Sequence, residues 1–534
     1  MDLRLYYYTL KHLKIRQITH QIQHKIRQSS IRDKIFIKGS PIHKIGFTLK
    51  LMPYIEKSES YLGNNNFTFL NLNADFIEWE DKRQGTLWLY NLNYMDFLLQ
   101  KKITFEDVSH WINLFIDTLP QNRSGMEPYP ISLRGINWIK CISQYQELIP
   151  IKEQQKWDSS LYSQYLSLYR NLEFHLLGNH LLENAYSLLW GGLYFREDRF
   201  YEKAIWLLTK ELNEQILPDG AHYELSPMYH EILLDRLLDC INALKYNYRF
   251  EGQESVAAFL EEKARLMLSW LNAIIYKDGT IPLLNDSAYG IAPSSRDLFA
   301  YAKRLGIQWS THILKESGYR KFTSNLFEMV IDVGNIGPDY IPGHAHADTF
   351  NYELRIAGKP FIIDSGISTY EKNVRRQYER ETQAHNTVQI EGLSSSKVWG
   401  GFRVAQRAKI ISLKEDRNCI TARHDGFKQS GIEHQRIFDL NHTIIMVCDS
   451  LQPITEKKGV NTIILHPDVK IRSINQDTIE TNLAILSFYG TDEIWIEDCE
   501  IAFEYNKLIP SKKICISFTN QMQYTIQTDK IQQL

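Results

Sequence analysis

Three short stretches of the chain concentrate side chains that can move protons or hold a charge. Gly343-His344-Ala345-His346-Ala347-Asp348 precedes a β-branched segment, Phe350–Arg355. On an extended backbone side chains repeat every two residues, so His344 and His346 would share one face. The next such segment ends in Asp364, and His385 opens another at His385-Asn386-Thr387-Val388. Two His and one Asp from neighbouring strands can supply the three protein ligands of a zinc site with an open fourth position. Satisfied polar groups at strand ends are the other reading of the same residues. Upstream, Asn179-His180-Leu181-Leu182-Glu183-Asn184 would place His180 and Glu183 three residues apart on one helix face, where a carboxylate can orient an imidazole. Asp219-Gly220-Ala221-His222-Tyr223-Glu224-Leu225-Ser226-Pro227-Met228-Tyr229-His230 packs polar groups at a helix entrance. Tyr229 could act as a base there if nearby cations lower its pKa. Helix capping and core aromatics would account for the same stretch without chemistry.

The elements that carry these stretches change character along the chain. From about 80 to 310, segments such as Leu133–Tyr145, Trp157–Leu177, Tyr201–Ile216 and Ser255–Ile275 repeat apolar residues every three or four positions, which predicts amphipathic helices. Leu217-Pro218-Asp219-Gly220 and Lys277-Asp278-Gly279 break them. Many helices on short turns predict a helical array or toroid. From about 320, Phe327–Val333, Phe350–Arg355, Phe361–Asp364, Thr387–Ile390 and Thr443–Val447 are short and rich in β-branched residues, and Ile356-Ala357-Gly358-Lys359-Pro360 reads as a hairpin turn. Helices followed by strands, without alternation, predict two domains of different class. The expected division is a basic amphipathic segment (1–45), an α/α toroid (46–315) and an antiparallel β-sandwich (316–534).

Composition excludes some functions. The chain has 534 residues, 61 Lys+Arg against 63 Asp+Glu, and a formal net charge of −2, without the basic excess of many nucleic-acid binders. Aromatic residues reach 12%, which suits either a large core or a cleft that stacks on sugar rings. The six cysteines include no CxxC, as in a reducing compartment. No apolar run approaches the roughly 18–20 residues of a membrane span. The first 38 residues carry nine Lys/Arg against two Asp, with Leu10, Leu13, Ile18, Ile22 and Ile26 at helical spacing. That pattern predicts a basic amphipathic helix, docked on the main body or touching a membrane surface. With no signal-peptide pattern at the start, the expected location is cytoplasmic or peripheral to the membrane rather than periplasmic.

Taken together the motifs resemble the heparinase II/III-like polysaccharide lyases and their alginate-lyase relatives. The pieces that carry the resemblance are Trp88-Leu89-Tyr90-Asn91-Leu92-Asn93-Tyr94, Pro128-Tyr129-Pro130-Ile131-Ser132-Leu133-Arg134, Asn179-His180, Pro227-Met228-Tyr229-His230, Asn285-Asp286-Ser287, Gly343–Asp348 and His385-Asn386-Thr387, in the family's order over roughly 80–450. The resemblance implies an α/α toroid, a β-sandwich and a cleft between them. It also implies a largely structural zinc-like site built from His346, Asp364 and His385, and β-elimination at a uronic acid. By motif match, Asn179 and His344 neutralise the substrate carboxylate, Tyr229 transfers the proton, His180 is its partner, Glu183 positions His180, and Arg134 binds the acidic sugar. The basic start is more similar to relatives associated with bacterial surface-polysaccharide assembly than to secreted lyases. Two other classes remain open. A glycoside hydrolase would draw on Glu183, Glu224 and Asp286. A non-catalytic glycan-binding or assembly protein would bind without turnover.

Overall fold

The computed structural model describes residues 3–28 and 44–528. Its helices are α1 (Leu3–Leu10), α2 (Ile15–Gln28), α3 (Thr86–Tyr94), α4 (Phe105–Asp117), α5 (Pro128–Gln144), α6 (Ile151–Arg170), α7 (Gly178–Phe195), α8 (Asp198–Gln215), α9 (Pro227–Tyr246), α10 (Gln253–Ile274), α11 (Ser295–Arg304) and, among the later strands, the short α12 (Val374–Glu379). Strands then dominate from Tyr319 to Gln527. The architecture is an α/α toroid followed by an antiparallel β-sandwich.

Local chemistry sets the helix starts. Pro128 and Pro227 stand in the first turns of α5 and α9, where a missing N–H costs nothing and φ is already helical. The Ser226 hydroxyl accepts from the Tyr229 backbone N–H, a cap worth about 1 kcal/mol, and so fixes Tyr229 in the first turn of α9. Helix α7 is nearly all buried, because α5, α8 and α9 pack around it. Its first residue, Gly178, has φ +56°, and a Cβ there would lie 2.5 Å from a carboxylate oxygen of Glu224. Only glycine lets that carboxylate reach the start of the helix.

Trp88, Trp111, Trp138, Trp157, Trp190 and Trp270 are all fully buried, so much of the aromatic content is core. One feature of the helical half departs from the pattern. A three-stranded sheet, Tyr61–Gly63, Asn66–Phe69 and Leu72–Asp75, packs Phe67 edge-on against Trp111. Its strands are three or four residues long, too short for alternation to register in the sequence.

In the second half an eight-stranded sheet runs through residues 410–489, and the last strand, Gln521–Gln527, inserts between Ile444–Gln452 and Ile485–Tyr489. Strand Glu433–Leu440 buries every second residue, as a half-covered antiparallel strand should. Two four-stranded sheets, one from residues 319–362 and one from Val388–Ile390, Lys458–Ile464, Glu493–Glu504 and Lys507–Thr519, and a two-stranded sheet of Val398–Trp399 and Arg403–Val404 complete the domain. Strand Tyr352–Ile356 is buried on both faces. The predicted hairpin is present: Ala357 (φ 49°) and Gly358 (φ 76°) join Tyr352–Ile356 to Lys359–Ile362.

The N-terminal helices pack against both halves. None of the helices in the described residues is long and apolar enough to cross a membrane. Residues 29–38 of the proposed membrane-contacting segment lie outside the described residues.

Candidate active site

Between the toroid and the sandwich lies a cleft of about 1040 Å³. Asn179, His180, Tyr229 and His344 all line it, three from the helical half and one from the loop that leads into the sheets.

Segment 343–350 is loop rather than strand, yet His344 and His346 do face one partner. His344 Nδ1 lies 2.9 Å from one oxygen of Asp286, and His346 Nε2 lies 2.8 Å from the other. Arg376, fully buried, donates to both oxygens at 2.5 and 2.7 Å. Burial alone would push the Asp286 carboxyl up, but Arg376 and the two histidines hold it well below the usual carboxylate range. An ionised Asp286 can only accept, so His344 carries its proton on Nδ1 and turns Nε2 toward the cleft.

That Nε2 is 3.3 Å from the Asn179 amide nitrogen. Asn179 is oriented by Glu224, whose oxygens accept from its backbone N–H at 3.1 Å and its side chain at 2.8 Å. The Tyr229 ring stacks on His344 with centroids 3.9 Å apart. The Tyr370 hydroxyl donates to the Tyr229 hydroxyl at 3.3 Å. Burial raises the Tyr229 pKa above its ordinary value, against the opposing effects of Tyr370 and Arg376. The lowering expected from nearby cations is outweighed by burial, and the net shift of Tyr229 is upward.

Two further expectations are corrected. Glu183 does not position His180. Both Glu183 oxygens are buried without a hydrogen bond beside Arg236, 3.6 Å away, and burial pushes the carboxyl up to about 7. His180 turns instead to Glu173, with Nδ1 3.2 Å from its carboxylate, and its ring lies 4.6 Å from that of Tyr129. Burial lowers the His180 pKa, but Glu173, together with the more distant Glu224 and Glu183, outweighs it and the net shift is upward. Arg134 does not reach the cleft. It is fully buried, bonded to Gln164 and to the backbone carbonyls of Asn93 and Gly125, and serves to tie α3 and the loop before α5 to α6.

The Glu173 substitution gives a signed prediction. Glu173→Gln should lower the His180 titration midpoint, read by NMR. The lost stabilisation should be largest below about pH 6.5, the unfolded value, and vanish as pH rises through the raised folded value. An unmoved midpoint would contradict the pairing.

The proposed metal ligands are close but not assembled. His385 Nδ1 is 2.7 Å from Asp364, the His346 and His385 rings are 5.2 Å apart, and no three His, Cys, Asp or Glu side chains among the described residues are grouped to hold a metal ion. His346 Nδ1 and His385 Nε2 are nevertheless buried with no hydrogen-bond partner. Unpaired buried groups cost about 1–3 kcal/mol each, and two imidazole nitrogens beside carboxylates are a donor set that suits zinc.

Tyr370, Arg376 and Glu173 escaped the sequence reading. The only signal for the first two was the Ser/Gly/Thr-rich loop that leaves the strand before Asp364, a common place for site residues.

A helical toroid and a β-sandwich with a cleft between them define the class. The sequence profile of the heparinase II/III N-terminus matches residues 157–303, and that of the heparinase II/III-like C-terminal region matches 308–529. The chain belongs to the heparinase II/III-like family. It is 24% identical over 375 residues to a heparin-sulfate lyase of Bacteroides stercoris, covering 63% of this chain and 53% of that protein. It is 24% identical over 304 residues to a heparin-sulfate lyase of Pedobacter heparinus, covering 51% and 44%. The chain thus spans about half the length of the curated relatives it matches. A crystal structure of heparinase III shares the fold, with a TM-score of 0.66, 15% identity and coverage of 85% of this chain and 79% of that one.

Proposed function

We propose that this protein is a polysaccharide lyase that cleaves a uronic-acid-containing glycan by β-elimination. The observation that carries the reading is the stack of Tyr229 on His344, one from each half of the chain, with the Asn179 amide beside them in one cleft. The C5 proton of a uronate is too weakly acidic to leave unless charge on the neighbouring carboxylate is met as it develops. The Asn179 amide is the donor placed for that, and His344, bonded to Asp286 through Nδ1–H, becomes the second donor when its Nε2 also takes up a proton. His180, its basicity raised by Glu173, takes the C5 proton. The electrons of the C5–H bond form the C4=C5 double bond, the C4–O4 bond breaks, and Tyr229 gives its proton to O4. Tyr370 then donates to the phenolate oxygen, and the proton held on His180 returns to Tyr229 to reset the site.

The hydrolase reading needs two carboxylic acids flanking the bond. Of its three candidates only Glu224 lines the cleft; Asp286 is locked by Arg376, and Glu183 lies beside Arg236. Incubation with a panel of uronate polysaccharides should produce ultraviolet-absorbing unsaturated ends. Binding without such product on every member of the panel would favour the non-catalytic reading.

The same reading places a structural zinc ion at His346, Asp364 and His385, supported by the unpartnered ring nitrogens. When bound, the ion would supply cohesion between loops, not chemistry. Elemental analysis of the purified protein should find about one zinc per chain, reduced in His385→Ala; a metal-free protein of full stability would remove this part.

A further inference from the structure

The basic N-terminal segment has no part in the chemistry above, yet its helices lie across the cleft. On the sandwich side, the Trp399 indole N–H donates to the Thr9 hydroxyl at 3.2 Å, and the Tyr6 ring meets Trp399 edge-on at 5.0 Å. At the loop leading to His344, the Gln17 amide donates to the Tyr340 carbonyl at 3.2 Å, and the Lys14 ammonium sits 3.7 Å above the Tyr340 ring. On the toroid side, Lys14 pairs with Glu214 of α8, and the Arg16 guanidinium lies 4.0 Å over Phe174. The helix pair is therefore fastened to both lips. Lys14 and Arg16, cations that a membrane surface would otherwise attract, are already engaged with the protein.

The pair turns a row of aliphatic side chains toward the cleft, alongside Tyr6, Thr9, Gln17 and Gln21, of which Thr9 and Gln17 are bonded to Trp399 and Tyr340. Leu10, Leu13, Ile18 and Ile22 line the same cavity as Asn179, Tyr229 and His344. Leu10, Ile18 and Ile22 remain 53%, 41% and 56% accessible, so they are not consumed in packing against the body. Aliphatic side chains offer no donor or acceptor to sugar hydroxyls or carboxylates, and burying a polar group against them without a partner is costly. A glycan running through the cleft would have to pass beneath a strap held on both sides and then desolvate its hydroxyls against this wall.

We infer that α1 and α2 close one end of the glycan path, so that the enzyme works from a chain end and releases short products, with Leu10, Ile18 and Ile22 as the residues that set product length. The inference rests on the lyase reading and specifies how that site meets its polymer. It predicts that polymer length falls slowly while unsaturated ends accumulate.

The test uses the full-length protein and a strap-release variant carrying Lys14→Glu, Gln17→Ala and Trp399→Ala, none of which touches the proton-transfer groups. Size-exclusion chromatography is followed against ultraviolet absorbance on a uronate polymer. The wild-type protein should release small oligosaccharides while the polymer peak holds its position. The variant, at equal absorbance, should shorten the mean polymer several-fold more. Early collapse of polymer size by the wild type would overturn the inference and leave the lyase reading intact. Hydrogen exchange over residues 3–28 supplies a readout independent of turnover: these amides should be protected, and exchange as fast as in an unfolded peptide would overturn the strap outright. Protected amides with no unsaturated product from any uronate polymer would overturn the lyase reading and the end-acting mode with it.

Discussion

Tyr229→Phe is expected to lower kcat on a uronate polymer by a factor of about 10³ or more while leaving substrate binding within a few-fold of wild type. The substitution removes one oxygen and keeps the ring that stacks on His344. General acid–base groups contribute about 10²–10⁴-fold, and the upper part of that range applies when the leaving oxygen has no alternative donor. In the cleft the nearest alternative is the Tyr370 hydroxyl, which reaches Tyr229 rather than an independent position. Tyr370→Phe should therefore cost less, because it removes the group that supports the phenolate and not the one that transfers the proton. Steady-state kinetics with separate binding measurements on the phenylalanine variant check this. A raised KM with kcat preserved would assign Tyr229 to binding alone.

Asp286→Ala should be the most destabilising single change at the site. It leaves the Arg376 charge buried without a counter-ion and deprives His344 and His346 of the acceptor that sets their tautomers. Breaking a buried pair by removing one partner costs about 3–5 kcal/mol. In a large domain each kcal/mol shifts the melting temperature by roughly 2–4 °C. Since the penalty comes from the stranded cation, adding Arg376→Met to Asp286→Ala should recover part of the stability but none of the activity. Chemical denaturation of the two variants measures the difference. A loss below about 1 kcal/mol in the single variant would mean that water or another anion replaces the carboxylate.

The parts of this site that were legible in the sequence are those fixed by local rules. Ser226-Pro227 announces a capped helix start, and the structure places Tyr229 in that first turn. The alternation of His344 and His346 foretold that both would face one side, and both meet Asp286 although the segment is not a strand. Ala357-Gly358 marked a turn that can hold two positive φ values.

What the sequence hid is the choice among distant partners. His180 and Glu183 have the spacing of a helical pair, yet Glu183 faces Arg236 on α9 while His180 turns back to Glu173, outside the helix. Spacing gives which residues can meet, and tertiary packing decides which do. Arg134 carried the same ambiguity. A cation near a tyrosine-rich motif suits an acidic sugar, but here three elements need a multi-donor tie and the guanidinium supplies it. Arg376 lies ninety positions from Asp286 in the chain, beyond any local pattern. The N-terminal helices were readable as amphipathic, but that their aliphatic side would face a cleft depends on Trp399, Tyr340 and Phe174, contributed by segments far apart in the chain.

Mass spectrometry of the products from a defined uronate oligosaccharide, run in ¹⁸O-labelled water, tests the central claim most directly. Elimination divides the substrate without adding water: the two product masses sum to that of the substrate, one carries a C4=C5 double bond, and neither contains ¹⁸O at the cleaved linkage. Products whose masses sum to the substrate plus one water, with ¹⁸O at the new end, would show hydrolysis and contradict the assignment of Asn179, His180, Tyr229 and His344 to a lyase.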